Sequence, residues 1–483
     1  MTTDGIYRTT DAGANWTQVE TGSWRDVEFK PGDPSVVYAT QNSTFWKSTD
    51  TGANFSQTYS VSGASRLEIG VSPANSAYVY LLAGPNTGSG SFKGVFRSTD
   101  SGATFSSRST TPNVLGYSIT GSDDRDQAWY DLAIAVHPSD ANTVHIGGIN
   151  QWKSTDGGST WSPMTGWSTG QASGSGLAYT HADIHDLIYF GTILYSGNDG
   201  GIHKSTDHVV NWTNLTFGMQ HGQMYRIAGT QSDKNKLLMG NQDEGSNVWV
   251  GPGQTNWTHI YGADGMDCMV DQSNASNIYF STQSGGLRKS TNGGNSSSGI
   301  APDGNSGADW VAPYVMDPNN SSIFYGAWGN DVYKNTNGTG ATSSNWTSAV
   351  VGSATIRHLA IGTNNSQVVY AASSGKIWRS ADGGSTWTDI TNAALSTALS
   401  GSPNITRIAV DPADANQLWV TLSAFSSGNK VFESSDGGTT WTNYSGTLPN
   451  VPVNCIAYEN SASAPNDALF IGTDVGVYYR DDS

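Results

Sequence analysis

The chain has 483 residues, including 58 Gly and 17 Trp, and its 40 acidic against 23 basic side chains give a formal net charge of -17. That balance excludes a nucleic-acid partner, because phosphate binding needs clustered Lys and Arg. There is no apolar run of about 18 residues, which excludes a membrane-spanning helix, and aromatic residues at 11% exclude a disordered chain, since such side chains bury large areas.

The elements in chain order are strands. The chain opens on Met1-Thr2-Thr3-Asp4-Gly5, which reads as the middle of a structural unit and implies a removed leader or a start further upstream. Gly5-Ile6-Tyr7-Arg8 reads as a strand, here called C, and is followed by the turn TTDAGANW ending at Trp16. An alternating strand A then begins near Trp24, a Pro/Asp turn leads to strand B at Val36-Val37-Tyr38-Ala39, and C returns at Phe45-Trp46-Lys47. The next turn, STDTGANF, ends at Phe55 and leads to a strand D. The same order repeats, with A–B pairs beginning near residues 24, 66, 129, 181, 223, 265, 310, 356, 405 and 452. Eleven C-type and about ten D-type strands accompany these ten pairs, the last C being Val477-Tyr478-Tyr479-Arg480.

The punctuating turn is Ser/Thr-x-Asp-x-Gly-x-Thr/Asn-Trp/Phe. It recurs as STDSGATF at Phe105, STDGGSTW at Trp161, SADGGSTW at Trp387 and SSDGGTTW at Trp441. Weaker copies are STDHVVNW at Trp212, STNGG at 290–294, NTNGTG at 335–340 and GPGQTNW at Trp257. Its chemistry is local. The Asp carboxylate accepts backbone N–H groups two residues on, the Gly supplies a positive φ, and the aromatic ring starts the next strand and packs inward. The box is therefore a turn device.

Four antiparallel strands per repeat of about 40–50 residues describe an all-β fold, a β-propeller of about ten four-stranded blades. The chain begins with C–D and ends with A–B–C, so the N-terminal D strand is expected to close the ring by completing the last blade. One C strand is then spare, and could pair with another molecule's edge. A single domain spanning 1–483 is expected, with two smaller propellers as the alternative. Cys268 and Cys455 make no disulfide framework, and their pairing depends on the fold.

The boxes and the unit they punctuate resemble the BNR/Asp-box propellers. WYDLAIAVHP (129–138), HADIHD (181–186), GNDGGIHKSTD (197–207), GNQDEGS (240–246) and GADGMD (262–267) are similar to the sortilin-like, BNR-repeat secreted proteins of bacteria, often labelled glycosyl hydrolases. The resemblance implies an extracellular or cell-surface propeller. Sialidases of this class carry an Arg-Ile-Pro motif, and here the nearest strings, Tyr225-Arg226-Ile227-Ala228 and Thr406-Arg407-Ile408-Ala409, lack the Pro. The acidic charge also disfavours anionic sugars. The xyloglucanase type has two propellers of seven blades, a count that ten blades do not supply.

Strand direction sorts the loops. D–A and B–C connections share one face, and the Asp boxes lie on the other. HADIHD and GADGMD lead into A strands, and GNDGG and GNQDEG are B–C turns, so all four are expected on the first face. Alternation puts His181, Asp183 and His185 on one side of a strand, a pattern that suits a divalent metal ion, although none is required. Glycoside hydrolysis needs two carboxylates. Asp183, Asp199, Asp243 and Asp264 are the catalytic candidates, with Asx-turn closure by Asp199 and Asp264 as the other reading. Trp24, Trp129 and Trp310 begin A strands, and Trp249 and Trp328 lie near B–C turns. These five are the candidate glycan-binding rings.

Three functions follow. The first is a secreted or surface binding module for neutral glycan or peptide. The second is a glycoside hydrolase acting on a neutral polysaccharide through an Asp pair. The third is a structural protein that self-assembles by strand exchange through its terminal strand.

Overall fold

The computed structural model describes residues 4–85, 92–207, 209–219, 222–251, 256–304, 306–401, 403–459 and 468–481. The start at Met1-Thr2-Thr3 and residues 252–255 of the box ending at Trp257 lie outside the described residues.

Period-two patterning produces strands at the expected places. Sheet 1 spans 26–60, sheet 2 spans 66–109, sheet 3 spans 133–163 and sheet 4 spans 184–214. Sheets 5 to 9 span 224–261, 268–299, 314–350, 358–389 and 405–443. Each of these nine is a four-stranded antiparallel meander in the order A-B-C-D, as in Arg66–Val71, Val79–Gly84, Gly94–Ser98 and Ser106–Ser109. A tenth sheet, 453–481, has three strands, and Gly5–Arg8 pairs with Thr17–Thr21 as a two-stranded sheet. The fold is a β-propeller. All ten A–B pairs, eleven C strands and ten D strands are present.

Contacts group the chain into two units, 1–221 and 222–483. Within each, the A strands of successive sheets pack side by side and form the inner layer. The B strands are buried on both faces, as at Val79–Gly84, because neighbouring sheets cover both sides. The core therefore sits between sheets. Tyr80, Leu82 and Val95 of sheet 2 pack with Val136, Val144, Ile146 and Trp152 of sheet 3, and equivalent clusters join sheets 7 and 8 and sheets 8 and 9. A B-strand tyrosine hydroxyl recurs as the polar link to the next sheet. Tyr80 donates to Ala141 O at 2.7 Å, Tyr325 to Gly383 O at 3.0 Å and Tyr370 to Ala415 O at 2.8 Å.

The boxes share one geometry, which differs in reach from the expected two-residue Asx turn. Ser48 Oγ donates to Asp50 Oδ1 at 2.7 Å and accepts from Gly52 N at 2.9 Å. Asp50 Oδ1 accepts from Ala53 N and Asn54 N, three and four residues on, at 3.1 and 3.0 Å. Its Oδ2 accepts from Asn54 Nδ2 at 2.7 Å. Asp156 and Asp382 repeat these bonds with Thr160 and Thr386. Asn292 serves in place of Asp, accepting from Ser296 N at 3.0 Å. In the 205–212 box, Val209 holds the glycine position at φ 78 and is fully buried, so core packing there offsets backbone strain. The tail tryptophans are at least half-buried except Trp16, which is 61% exposed and corrects the expectation that every tail ring joins the core.

The box hydrogen bonds hold Asp11 and Asp156 down at about 2. A carboxyl depressed on folding stabilises the fold above its ordinary pKa near 4, and that stability is lost as pH falls through about 2. Asp156→Ala is expected to lower the melting temperature by about 2–4 °C at pH 7, and the gap to the parent chain should narrow between pH 4 and 2. A gap independent of pH in calorimetry would assign the loss to packing.

Candidate functional site

In the first unit, two long connections deliver the candidate residues. Residues 110–132 join sheet 2 to sheet 3, and 164–183, which include a short helix Thr169–Ser175 that periodicity did not indicate, join sheet 3 to sheet 4. Asn113 Nδ2 ties the first connection by donating to Asp123 O and Arg125 O at 3.0 and 2.8 Å. Arg66, the first residue of its A strand, donates from Nη1 to the carbonyls of Ala128 and Tyr130 at 3.3 and 3.1 Å and pairs with Glu68 at 2.8 Å. A planar guanidinium with several fixed donors suits this clamp.

The clamp sets Gln127, Trp129, Tyr130 and Asp131 beside the start of sheet 4. Gln127 Nε2 donates to Asp183 Oδ1 at 2.7 Å. Asp199, in the B–C turn, accepts from His185 Nε2 at 2.7 Å and from Tyr130 OH at 3.0 Å. Carboxylate oxygens of Asp183 and Asp199 lie within 4.8 Å of each other. The His185 ring meets Tyr130 edge-on at 4.7 Å between centroids, and Trp129 lies 5.5 Å from Tyr130 on the outside, 55% exposed.

Asp131 is the residue that sequence reasoning missed. It is 1% exposed, and among the described residues neither carboxylate oxygen has a hydrogen-bond partner. Burial, reinforced by the charge of Asp183, pushes its carboxyl up to about 9. Burial and then the charge of Asp199 raise Asp183 as well. An ionised Asp131 would lose its hydration and face like charge, so the proton stays on. The inner strands add further acids. Burial and the charges of Asp26 and Asp186 push Glu28 up to about 7, and burial with Asp26 holds Glu68 well above the carboxylate range. Asp26 is itself raised by burial, although its Oδ2 accepts from Ile69 N at 2.6 Å. The available signal was period-two charge on A strands: Asp26 and Glu28 alternate with Val27 and Phe29, and Arg66 and Glu68 with Leu67 and Ile69.

His181, Asp183 and His185 do not share one side. Asp183 has φ 60, the strand starts only at Ile184, and its register shifts between Ile184 and Asp186. The three side chains turn to different partners. His181 Nδ1 lies 3.2 Å from Ala182 O with its ring against Gly200, while Asp183 and His185 make the bonds given above.

In the second unit, Asp264 is buried, and its two oxygens accept from Asp243 N at 2.6 Å and Gln283 Nε2 at 2.7 Å. It ties the turn of sheet 5 to the turn of sheet 6. Asp243 stands in that turn at φ 58. Gly265 is required there, because a Cβ would meet Gly245 O. Asp267 accepts from Cys268 N and Tyr314 N, both at 2.9 Å.

Of the five candidate rings, two are core. Trp24 is 5% exposed against Trp46, and Trp328 is 1% exposed between Tyr314 and Trp346. Neither can cover a sugar, which corrects their assignment. Trp249 is half-buried beside Trp257. Trp129 and Trp310 are exposed at 55% and 51%, and Trp310 Nε1 donates to Tyr225 OH at 3.2 Å. Cys268 is buried and Cys455 exposed, and both are free thiols.

Residues 315–478 match the family described as DUF6242 beta propeller domain. A xyloglucanase of Paenibacillus sp is 26% identical over 251 residues, covering 44% of this chain and 24% of that protein, so the match spans about a quarter of the relative's length. Among solved structures, the GH74 enzyme of Niastella koreensis has a TM-score of 0.58 at 17% identity, covering 99% of this chain and 71% of that one. The GH74 xyloglucanase from Xanthomonas campestris is 16% identical, covers 95% of this chain and 81% of that one, and has a TM-score of 0.30. The Niastella likeness shows a shared fold. The sequence contrast with xyloglucanase-type propellers rests on blade number, and the sequence relative found is nonetheless a xyloglucanase.

A carboxyl raised on folding stabilises the protein below its ordinary pKa, and that stability is lost as pH rises toward the folded value. Asp131, raised to about 9, is such a group. The melting temperature of Asp131→Asn relative to the parent should therefore climb steadily from pH 4 to pH 9. A difference that is flat over that range would show that Asp131 is ionised in the folded state.

Proposed function

We propose that the first unit binds a neutral glycan on the ring of Trp129, as part of a secreted or cell-surface propeller. The observation that carries this reading is the exposed Trp129 ring set directly beside Tyr130, whose hydroxyl reaches Asp199. Flat rings cover the apolar faces of pyranoses, while carboxylates and amides such as Asp183, Asp199 and Gln127 accept and donate to sugar hydroxyls. The sequence similarity to a xyloglucanase supports a polysaccharide as the ligand class.

A second reading, hydrolysis of that glycan, is favoured by a specific contrast. Burial and the charge of Asp199 raise the Asp183 carboxyl, while Asp199 sits in the hydrogen bonds of His185 and Tyr130. One carboxylic acid and one carboxylate in different environments are the two roles that glycoside cleavage requires. In this reading Asp183 gives a proton to the leaving oxygen, and Asp199 serves as base or nucleophile.

Affinity electrophoresis through xyloglucan, mixed-linkage glucan and galactomannan separates the outcomes. Trp129→Ala is expected to weaken retardation by about ten-fold, on the order of 1.4 kcal/mol, and retardation equal to the parent would contradict the site. Reducing-end release from the same polymers should fall by about 100-fold or more in Asp199→Asn. Retardation without release from any polymer would leave binding as the function and remove hydrolysis.

A further inference from the structure

The second unit carries a local cluster of arginines within an acidic chain. Its inner strands bring Arg226 of sheet 5, Arg357 and His358 at sheet 8, and Arg407 of sheet 9 around one open cavity of about 320 Å³. Asp309 is the carboxylate in this lining, 3.6 Å from Arg357 Nη2. Asp267, which also acts on Arg407, has its oxygens engaged by Cys268 N and Tyr314 N. Asn404, Thr406, Ser423 and Asn454 complete the polar wall.

His358 adds no charge. Arg407 Nη1 donates to His358 Nδ1 at 2.9 Å, which requires that nitrogen to be unprotonated. Burial and the charges of Arg407, Arg226 and Arg357 hold the imidazole well below its ordinary pKa. The same crowding acts on Arg407, where burial and the charge of Arg226 lower the guanidinium to about 10. Arg226 Nη1 and Arg407 Nη1 also donate to the neighbouring carbonyls of Tyr225 and Thr406. These are neutral acceptors and add no counter-charge to those of Asp309 and Asp267. Three guanidinium groups against two carboxylates, Asp309 in the lining and Asp267 beside Arg407, leave a net positive charge that an anion would relieve. Guanidinium groups match planar and tetrahedral oxyanions through paired N–H donors.

We propose that this cavity binds the oxyanion of a small acidic ligand, a carboxylate or a sulfate, between Arg226, Arg357 and Arg407. The site is independent of the glycan site in the first unit, since it uses other residues. It modifies the expectation from net charge, because a local cluster of three arginines outweighs a distant acidic surface within a Debye length of about 8 Å.

Isothermal titration calorimetry of the whole chain with sodium glucuronate, sodium sulfate and glucose in low-salt buffer tests the site. Saturable binding of glucuronate or sulfate is expected, with no heat from glucose. Binding of glucuronate alone assigns a carboxylate ligand, binding of sulfate alone assigns a sulfate ester, and binding of both assigns an oxyanion of either kind. Each of these supports the site if R407Q weakens binding by about ten-fold or more. R357Q, at the more exposed arginine, gives the same readout should R407Q fail to fold. The proposal is overturned if neither anion binds, or if binding persists unchanged in the variants that fold.

Discussion

The Ser–Asp turn between strands C and D is the interaction on which the rest of the structure depends. A serine hydroxyl and an aspartate carboxylate together take the amides at the tip of the C–D turn, as Ser98 and Asp100 do for Gly102 and Thr104 at 2.8 and 2.9 Å. This fixes where strand C ends and where strand D begins. It also aims the tail ring at the neighbouring sheet, where Phe105 meets Phe45 at 4.9 Å between centroids and Trp161 Nε1 reaches Ser109 Oγ at 2.9 Å. A single sheet cannot bury both faces of its B strand, so the turn and its ring serve the contact between sheets as much as the sheet itself.

The same residue type meets opposite fates at the two edges of a sheet. Box aspartates are solvent-exposed, accept several hydrogen bonds and are held acidic. Glu28 and Glu68 on A strands and Asp131 in the 110–132 connection lose hydration, and burial raises their carboxyls, that of Glu68 despite its pair with Arg66. Asp26 is intermediate, with one amide bond that offsets part of its burial. The first unit collects such acids on its inner strands, whereas the second collects arginines and a neutral histidine. Inner strands can hold these groups because the apolar core between sheets, from Tyr80 and Trp152 to Tyr370 and Leu418, bears the stability.

Much of the fold was legible because its signals are local. Strand starts near 66, 356 and 405 follow from alternation and turn chemistry, and the structure places them at Arg66, His358 and Ile405. The site was less legible because it depends on connections without periodicity. The 110–132 segment positions Asp131 through an arginine more than 60 residues earlier, a contact that no spacing encodes. His-x-Asp-x-His looked like one face of a strand, but a positive φ at Asp183 breaks the alternation. Trp24 and Trp328 stood at the expected loop positions, yet packing against Trp46 and Tyr314 took them into the core. Arg226 and Arg407 were visible as strings, but their convergence with Arg357 needed the strands of sheets 5, 8 and 9 placed together.

The most direct measurement is a crystal structure of the chain soaked with a neutral xyloglucan oligosaccharide. A pyranose stacked on Trp129, with its hydroxyls or glycosidic oxygen within hydrogen-bond reach of Asp183 or Asp199, is the expected result. Sugar density elsewhere on the molecule, with the Trp129 ring bare, would contradict the central claim that the Arg66-clamped connection builds the glycan site.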